Sequence, residues 1–547
     1  MSGNYTCHPL STVRIAMNVC DYLLETSPIT APALLTLQAE HTYGQLQQKA
    51  GRIAAFLVRS GFTKGDRAIL VADSTFFWVA AYLGILRAGL VCIPMAPGST
   101  TEELRYIFEI TEPACAFADS RRMVKLPAQS KQIQIVTDTP PKVPNHSCVT
   151  SLAEIEKESP ESIALPDVGQ DDLAALMFTS GSTGKPRGVM ISHGNIIANT
   201  DSIIEYLSLT SSDRIMAVLP FHYCFGTSLL HTHLRVGGSV VVDSRFMYPE
   251  VVLQRMQATG CTGFAGVPSH FQILLRKSKL ARMSFPKLRY VQQAGGQLPP
   301  IFIKELRNAL PDKQIFIMYG QTEATARLSY LPPEMLDTKL GSVGKGIPGV
   351  RLAVLNENGG PVKPGETGEI VAEGGNVGLG YWRDEEETSR SFRNGKLYTG
   401  DLATVDEDGF IFIVDRAKDF LKCGGKRVSC RYIENVLLGF EELLEAAVVG
   451  VPDEVLGEAA VAYVVLRDPK SGPTSEQLQS YCRQNMSPQF IPRDFVMVST
   501  LPKNSSGKVL KPLLKAQAFE SRPTETLNTG SPSPLPRATG EERQYDV

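Results

Sequence analysis

Apolar residues up to about residue 320 follow two alternating spacings, one typical of helices and one typical of buried strands. Residues 43–59 and 76–86 carry apolar side chains at helical intervals, whereas residues 68–72 form a short apolar run, as a buried strand does. The alternation continues with strands predicted at 173–178, 215–219, 239–242, 263–266 and 315–318, and helices at 195–207, 227–234, 249–258 and 268–275. This order predicts βαβ units around mainly parallel sheets, with surface loops and one weak strand, at 133–136, over residues 125–166.

The pattern changes after residue 340. Strand-like segments at 350–355, 368–373 and 410–414 are separated by Gly and Pro turns, which predicts a smaller β-rich unit. Beyond it, helices predicted at 432–438 and 475–484 and strands at 445–451 and 459–465 predict a compact α+β domain. Residues 521–547 contain few large apolar side chains and cannot bury enough surface to offset the entropy of ordering, so we expect a disordered tail.

Composition narrows the class of protein. A chain of 547 residues exceeds what one hydrophobic core usually supports, so at least two domains are expected. The net charge of −2 argues against a nucleic-acid-binding surface that covers the protein. The ten cysteines contain no CxxC pair, and polar residues interrupt any signal-peptide core. The most apolar segment, residues 74–86, is shorter than the ~20 residues that span a bilayer. We therefore expect a cytoplasmic protein without a membrane span.

Residues 178–188, FTSGSTGKPRG, combine glycines, hydroxyls and cations in one loop after a predicted strand. Glycines allow backbone N–H groups to crowd round an anion, and hydroxyls and a lysine add donors, so the loop could hold phosphate. Such clusters are also common in ordinary surface turns. The positions where a P-loop requires Gly and Ser or Thr hold Thr179 and Pro186, so this is not a Walker A loop.

Two acidic motifs follow further strands. In YGQTE, residues 319–323, a Thr hydroxyl beside a carboxylate could hold a nucleotide phosphate and Mg²⁺, which prefers oxygen ligands. The alternative is that Thr322 and Glu323 begin a helix as its cap and first turn. In YTGDL, residues 398–402, Asp401 could accept the hydroxyls of a ribose, although an Asp in a turn is the commoner explanation.

Two basic stretches and one glycine pattern complete the candidates. VDRAKDFLKCGGKR, residues 414–427, and LPKNSSGK, residues 501–508, carry lysines beside glycines, as solvated surface segments also do. Gly344, Gly346 and Gly349 match GxGxxG, but Pro348 lies inside the match and a strand pattern follows, whereas a dinucleotide fingerprint would open a helix. This last pattern is therefore interpreted as a turn.

Taken together and in this order, these motifs resemble the adenylate-forming superfamily of acyl-CoA synthetases, nonribosomal adenylation domains and luciferase-like enzymes. The resemblance covers nearly all of residues 20–515, and its pattern is most similar to that of acyl-CoA ligases. It implies an α/β fold with a large multi-layer N-terminal domain, made of α/β subdomains plus a β-rich subdomain, over residues 1–416. A small α+β C-terminal domain on a hinge would span residues 417–520, followed by the tail, residues 521–547.

The resemblance also implies a role for each motif. Lys508 would be the catalytic lysine, Thr322 would contact the α-phosphate, Glu323 would bind Mg²⁺, and Lys418 would be the hinge. The remaining positions are grouped by ligand: Thr179, Ser180, Gly181, Ser182, Thr183, Gly184 and Lys185 for the β- and γ-phosphates of ATP; Gly295, Gly296, Gln297, Tyr319 and Gly320 for adenine; Asp401 and Arg416 for ribose; and Lys422 for the pantetheine thiol.

The implied reaction activates a carboxylic acid with ATP to acyl-AMP and pyrophosphate, then forms a thioester. In PFHYCFG, residues 220–226, no Asp is present to pair with a substrate ammonium, and His222 resembles the His that stands beside the carboxylate in acyl- and aryl-CoA ligases. We therefore expect a fatty or aromatic acid and CoA as acceptor. Two alternatives stay open: an acyl- or aminoacyl-AMP ligase that loads the pantetheine of a carrier protein, and a non-catalytic nucleotide-binding scaffold. Arg187, where the family commonly has Lys, and Asp415 depart from the pattern without removing the chemistry.

Overall fold

A computed structural model gives the fold, with strands numbered β1–β27 and helices α1–α14 along the chain. It describes residues 17–25, 27–127, 133–140, 148–157, 163–179, 186–416, 420–423, 426–453, 457–468, 472–503 and 509–520. The phosphate-loop positions 180–185, Lys418, Lys508 and the tail lie outside the described residues.

One mixed sheet of eight strands is built mainly from the first two hundred residues. Its order is β19-β9-β8-β4-β3-β5-β6-β7, with antiparallel pairing of β8, β9 and β19 and parallel pairing of the rest. Its strands are β3 (Arg67–Val71), β4 (Val91–Met95), β5 (Cys115–Ala118), β6 (Gln134–Thr137), β7 (Val149–Ser151), β8 (Leu173–Thr179), β9 (Arg187–Ser192) and β19 (Gly380–Tyr381). Strand β6 confirms the weak strand predicted at 133–136, whereas β7 lies in a part of the segment predicted as surface loops. That part of the prediction is wrong because a strand as short as β7 gains its stability at the sheet edge, not from its own pattern.

A second sheet of nine strands carries the predicted parallel βαβ units. Its order is β16-β15-β14-β13-β12-β10-β11-β1-β2. Its strands are β1 (Pro32–Leu35), β2 (Glu40–Thr42), β10 (Arg214–Ala217), β11 (Ser239–Val242), β12 (Gly263–Gly266), β13 (Tyr290–Gln293), β14 (Gln314–Tyr319), β15 (Ser329–Leu331) and β16 (Lys345–Gly346). The five neighbouring strands from β14 to β11 pair in parallel, so their carboxyl ends meet at one edge.

Helices fill the space between these sheets and cover their outer faces. Residues of both sheets share one hydrophobic core with α1 (Val19–Leu24), α2 (Tyr43–Arg59), α3 (Phe76–Arg87), α6 (His193–Leu207) and α7 (Cys224–Arg235). Helix α3 is buried all round from Phe77 to Leu86, which explains why this most apolar segment has no polar face. The outer helices are α4 (Thr101–Thr111), α5 (Leu152–Lys157), α8 (Pro249–Ala258), α9 (Pro268–Lys277) and α10 (Pro300–Ala309). None of the helices in the described part of the chain is both long and apolar enough to cross a membrane.

Helix α7 begins three residues earlier than the sequence predicts. Gly226, which interrupts the helical pattern, is needed at that position because a Cβ there would lie 2.1 Å from the main-chain oxygen of Pro220. The first turn is held by the Thr227 hydroxyl, which donates to the main-chain oxygen of Phe221 at 2.6 Å. The helix start is therefore set by a close approach that local spacing does not reveal.

A β-rich unit and a small α+β unit follow, as predicted. The former has β17 (Val350–Leu355), β18 (Gly368–Gly374), β20 (Phe392–Arg393), β21 (Lys396–Val405) and β22 (Ile411–Arg416), with α11 (Glu385–Ser391) beside it. The latter has β23 (Phe420–Cys423), β24 (Lys426–Ser429), β25 (Leu443–Asp453), β26 (Gly457–Leu466) and β27 (Asp494–Met497), with α12 (Cys430–Leu438), α13 (Ser475–Asn485) and α14 (Lys511–Glu520). The predicted fold class, including its small C-terminal unit, is confirmed.

The small unit packs against α9 of the large one. Arg276, buried at the end of α9, is ion-paired with Glu305 at 2.7 Å and donates to the main-chain oxygens of Leu438 and Leu443. In return, Arg467 donates through Nε to the main-chain oxygen of Arg276 at 3.1 Å. These bonds, together with the contacts between β25 and α9, attach the small unit to the helix that follows β12.

Candidate active site

A cavity of about 450 Å³ opens at the carboxyl ends of the parallel strands. Leu219, Val267, Gly295 and Gly320 line it, each one or two residues after the end of β10, β12, β13 and β14, respectively. The other walls come from the end of β8 and the start of β9, the start of α7, the turn after β14, α11, and strands β18 to β21. The residues are Phe178, Thr179, Arg187, Pro220, Tyr223, Cys224, Phe225, Gly226, Gln321, Thr322, Glu323, Glu369, Tyr381, Glu387, Arg390, Ser391, Arg393, Leu397, Tyr398, Thr399 and Gly400. All three sheets of the large unit therefore meet at one concave site, which is where open α/β sheets bind ligands.

Two glycines in the lining allow close packing. A Cβ on Gly320 would lie 2.1 Å from the main-chain oxygen of Ala326, and one on Gly295 would lie 2.9 Å from a Val267 methyl. Gly295 also has φ +85°, a conformation that other residues rarely adopt. These positions leave backbone instead of side chains at the cavity surface, where a flat ring could approach closely.

Thr322 and Glu323 lie side by side on the cavity wall. They occupy a single 3₁₀ turn, Thr322–Ala324, so they do not begin a longer helix. The Glu323 carboxylate accepts a hydrogen bond from the Tyr381 hydroxyl at 3.0 Å, and its main-chain oxygen accepts from the Gly378 N–H at 2.8 Å. Burial, and then the charge of Glu323, raise the pKa of Tyr381, so that hydroxyl stays a donor. The carboxylate is thus oriented toward the cavity by a residue from β19, a different sheet.

Asp401 and Tyr319 lie just behind the cavity wall. The Tyr319 hydroxyl donates to Asp401 Oδ2 at 2.7 Å, and both residues are buried. Their neighbours Gly320, Thr399 and Gly400 form the adjoining wall. Asp401 is opposite Arg416 in the β21–β22 pairing, and the Arg416 side chain lies outside the described part of the structure.

His222 lies beside the cavity without being part of its lining, and its predicted role beside the carboxylate stays a prediction. Its side chain is buried outside the cavity lining, with its ring centroid 4.4 Å from that of Tyr223, and burial lowers its pKa to about 4. Its Nε2 has no hydrogen-bond partner among the described residues. Tyr223 and Cys224, the next two residues, line the cavity instead. The chain enters α7 at this point, so adjacent side chains point in different directions.

Arg187 reaches the cavity from β9, the strand after the phosphate loop. Its guanidinium is 3.2 Å from Asp384 and 3.2 Å from Glu387, at the start of α11. A planar group with several donors can hold both carboxylates at once, which a lysine point charge does less well. The departure from the family pattern at this position therefore ties the strand of the phosphate loop to α11.

Of the other predicted site residues, one lines the cavity, two lie next to its lining, and the rest are not described or have undescribed side chains. Thr179 lines the cavity at the end of β8, whereas Gly296 and Gln297 lie just outside its lining, with Gly296 held through its main-chain oxygen by the Gln293 amide at 2.8 Å. Ser180, Gly181, Ser182, Thr183, Gly184 and Lys185 lie outside the described residues, as do Lys418 and Lys508. Lys422 is placed on β23, but its side chain is not among those described.

The segment that leads to Lys508 lies near the cavity. Lys503 is ion-paired with Glu445 at 2.6 Å and bridges to Val509 across the undescribed residues 504–508. It is close enough to His270 that its charge adds to burial in lowering the pKa of that histidine to about 4. His270 is in α9, three residues after the cavity-lining Val267.

Several lining residues were not predicted. Cys224 lies with its sulfur 3.5 Å from the Thr322 hydroxyl, and Tyr223 and Phe225 flank it. The PFHYCFG segment is a usable signal for them, because its resemblance places it beside the substrate carboxylate. Tyr381 had no local signal: it follows a glycine in a two-residue strand, and its role depends on pairing with β9.

Comparisons with known proteins match this geometry. A family model described as AMP-binding enzyme matches residues 24–382, and one described as AMP-binding enzyme C-terminal domain matches residues 432–508. The chain is 31% identical over 490 residues to a feruloyl-CoA synthase from Amycolatopsis sp, covering 86% of this chain and 92% of that one. It is 28% identical over 510 residues to a long-chain-fatty-acid–CoA ligase from Bacillus subtilis, covering 88% and 90%.

Solved structures show the same similarity. The o-succinylbenzoate CoA synthetase from Bacillus subtilis, in complex with its acyl-adenylate intermediate, superposes with a TM-score of 0.79 at 28% identity. That match covers 91% of this chain and 98% of the other. Both the large unit and the small one are therefore included in the likeness.

Proposed function

Because the chain belongs to the AMP-binding enzyme family, we propose that the cavity at the strand ends is where it activates its acid. The chain is an AMP-forming acid–thiol ligase of the acyl-CoA synthetase type. A carboxylate oxygen attacks the α-phosphorus of ATP, the bond to the β-phosphate oxygen breaks, and pyrophosphate leaves. The CoA sulfur then attacks the acyl carbonyl carbon, and AMP leaves.

The observation that carries the assignment of this cavity is the convergence of Thr322, Glu323, Gly320 and Arg187 on it. In the proposal, Thr322 donates its hydroxyl to the α-phosphate, and the backbone at Gly295 and Gly320 faces the adenine. Tyr319 orients Asp401 toward the ribose through their hydrogen bond. The loop of residues 180–185, which begins directly after the cavity-lining Thr179, holds the β- and γ-phosphates.

Glu323 is the proposed Mg²⁺ ligand. Among the described residues, no group of three or more His, Cys, Asp or Glu side chains could hold a metal ion by itself. A single carboxylate on the cavity wall nevertheless fits Mg²⁺, which is commonly bound by one or two carboxylates together with substrate phosphates and water. Bound there, Mg²⁺ would offset the negative charge of the phosphates.

Lys508 is the proposed catalytic residue of the first half-reaction. Two anions must approach each other when the carboxylate meets the α-phosphate, and a lysine between them stabilises the charge of the transition state. The charge of Lys503 acts on His270, three residues after the cavity-lining Val267, which supports a position of the small unit near the cavity. Rotation of the small unit about Lys418 would then withdraw Lys508 and bring the segment of Lys422 to the thiol.

The acceptor and the acid class define the finer proposal. We assign free CoA as the acceptor, with the pantetheine of a carrier protein as the second candidate, and a cytoplasmic location. A non-catalytic scaffold is disfavoured, because Thr322 and Glu323 both line the cavity and a hydrogen bond holds the Glu323 carboxylate. The acid has no α-ammonium in this proposal, because Tyr223 and Cys224 occupy the cavity wall where a pairing carboxylate would be needed.

ATP–pyrophosphate exchange tests the proposal directly. The full chain is assayed with Mg²⁺ and a panel of fatty, aromatic, dicarboxylic and amino acids, and acids that support exchange are then tested for thioester formation. Parallel reactions contain free CoA or a purified pantetheinylated carrier protein. Acid-dependent exchange followed by CoA thioester is expected. Thioester on the carrier protein alone would replace CoA as acceptor, and no exchange with any acid would reject the proposed site chemistry.

A further inference from the structure

Arg327 is a buried cation without an anionic partner among the described residues. Its side chain is 1% exposed, and its guanidinium lies over the ring of Phe225 at 4.5 Å from the centroid. Its Nε donates to the Tyr206 hydroxyl at 3.3 Å, whereas its Nη2 has no described hydrogen-bond partner. By contrast, Arg276 is paired with Glu305 and Arg289 with Asp213.

The guanidinium lies directly behind one wall of the cavity. Phe225, whose ring it covers, lines the cavity, as does Cys224, and burial raises the pKa of Cys224 while the charge of Arg327 acts in the opposite direction. Gly320 forms the adjoining lining, and a Cβ on it would lie 2.8 Å from the Cα of Arg327. The ring of Phe225 and the backbone at Gly320 therefore lie between Arg327 and the cavity.

A second polar group without partners faces the same side of the sheet. The Tyr290 hydroxyl bonds to His233 of α7 at 3.0 Å, so Tyr290 points toward the layer of helices between the sheets. Gln292 is two residues later on β13 and points to the same side, because side chains alternate along a strand. It is 1% exposed, and both atoms of its amide have no described partner. Buried polar groups are normally hydrogen-bonded, so the Gln292 amide is a second buried group on this side of the sheet without a described partner.

A buried guanidinium is stabilised by a carboxylate that it can hold through two hydrogen bonds. In the proposed function the phosphates of ATP are held by Thr322, by Mg²⁺ and by the loop of residues 180–185, and the reacting carboxylate meets Lys508. An anion for Arg327 would then come from another group of the acid. We propose that Arg327 is a specificity residue that binds a second carboxylate of the substrate, so that the preferred acids are dicarboxylic. Rotation of the Phe225 side chain joins Arg327 to the cavity. This inference rests on the proposed function of the cavity.

The test compares acids that differ only at the far end. ATP–pyrophosphate exchange is measured for matched pairs, each a straight-chain or aromatic monocarboxylic acid and its dicarboxylic counterpart of the same length. For the wild type, kcat/KM is expected to favour the best dicarboxylic acid by about 100-fold or more, the loss typical of an unpaired buried charge. Arg327→Met should remove this preference, while Arg327→Lys should keep part of it.

A matched control separates recognition from packing. Arg235 also lies over an aromatic ring, that of Tyr22 at 4.2 Å, but at the opposite end of α7 from the cavity. Arg235→Met should leave the ratio of dicarboxylic to monocarboxylic kcat/KM unchanged. Urea denaturation of each variant checks folding, and if Arg327→Met does not fold, the wild-type ratio decides alone.

The outcomes distinguish this inference from the function on which it rests. Wild-type exchange that favours monocarboxylic acids overturns the role of Arg327 and leaves the ligase activity standing. An equal loss for both members of each pair in Arg327→Met also overturns it. Exchange with no acid at all overturns both proposals.

Discussion

The hydrogen bond from Tyr381 to Glu323 links the β9–β19 edge of the first sheet to the proposed Mg²⁺ ligand. Replacement of Tyr381 by Phe removes the hydroxyl and keeps the ring, which packs edge-on against Phe392 with centroids 5.5 Å apart. Hydrogen bonds to charged groups contribute roughly 1.5–3 kcal/mol. Because Glu323 borders the cavity, water replaces part of the lost bond. We therefore expect a loss at the lower end of this range, about 1.5 kcal/mol, which corresponds to a tenfold change in an equilibrium constant.

Exchange kinetics at saturating acid measure this effect, with ATP and Mg²⁺ varied separately. Tyr381→Phe should raise the Mg²⁺ concentration for half-maximal rate and lower kcat/KM for ATP by about tenfold. Kcat at saturating Mg²⁺ should change less, because the carboxylate is still present and only its orientation is lost. The matched control is Tyr463→Phe, which deletes a buried hydroxyl that donates to the main-chain oxygen of Leu514 at 3.0 Å, in the small unit. Its Mg²⁺ dependence should equal that of the wild type.

Two results would refute the reasoning. An unchanged Mg²⁺ dependence in Tyr381→Phe would mean that the hydroxyl does not hold Glu323 for catalysis. An equal slowing of both tyrosine variants, with lower unfolding midpoints in urea, would assign the effect to stability instead of to the site.

Three further outcomes are expected. Lys508→Ala should lower the exchange rate by about 100-fold or more while circular dichroism stays unchanged, since one group that stabilises transition-state charge is worth ~3 kcal/mol; wild-type exchange would remove Lys508 from the mechanism. Lys418→Pro should spare exchange and impair CoA thioester formation, and equal loss of both would contradict the hinge. His222 has a folded pKa of about 4, below its usual 6.5, so the unfolded chain binds its proton first and stability falls as pH drops from 6.5 toward 4. By pH 5 this loss is about 2 kcal/mol. The free energy of unfolding in urea should therefore fall by about 2 kcal/mol less between pH 7 and pH 5 in His222→Gln than in the wild type. An equal fall in both proteins would mean that His222 is exposed to solvent.

Local patterns predicted most of the elements that build the cavity. The apolar runs of β8, β10, β12 and β14 mark buried parallel strands, because a strand covered on both faces is apolar throughout. The motifs that follow β8 and β14 were predicted as site residues because their glycines, hydroxyls and charged side chains come directly after the end of a strand. Strand β7 escaped prediction because sheet-edge pairing, not its own sequence, stabilises it.

The sequence by itself determined the class of fold, the positions of Thr322 and Glu323 after a buried strand, and the family resemblance that implies an adenylating ligase. Only the tertiary structure decided that Tyr223 and Cys224, not His222, face the cavity, since the entry into α7 sets the direction of each side chain. It also decided that Tyr381 holds Glu323, 58 residues away along the chain, and that Arg327 is buried without a described carboxylate beside it. Periodicity reports which face of an element is buried, whereas the partners of a polar side chain depend on which elements pack together, and those contacts join residues that are far apart in the sequence.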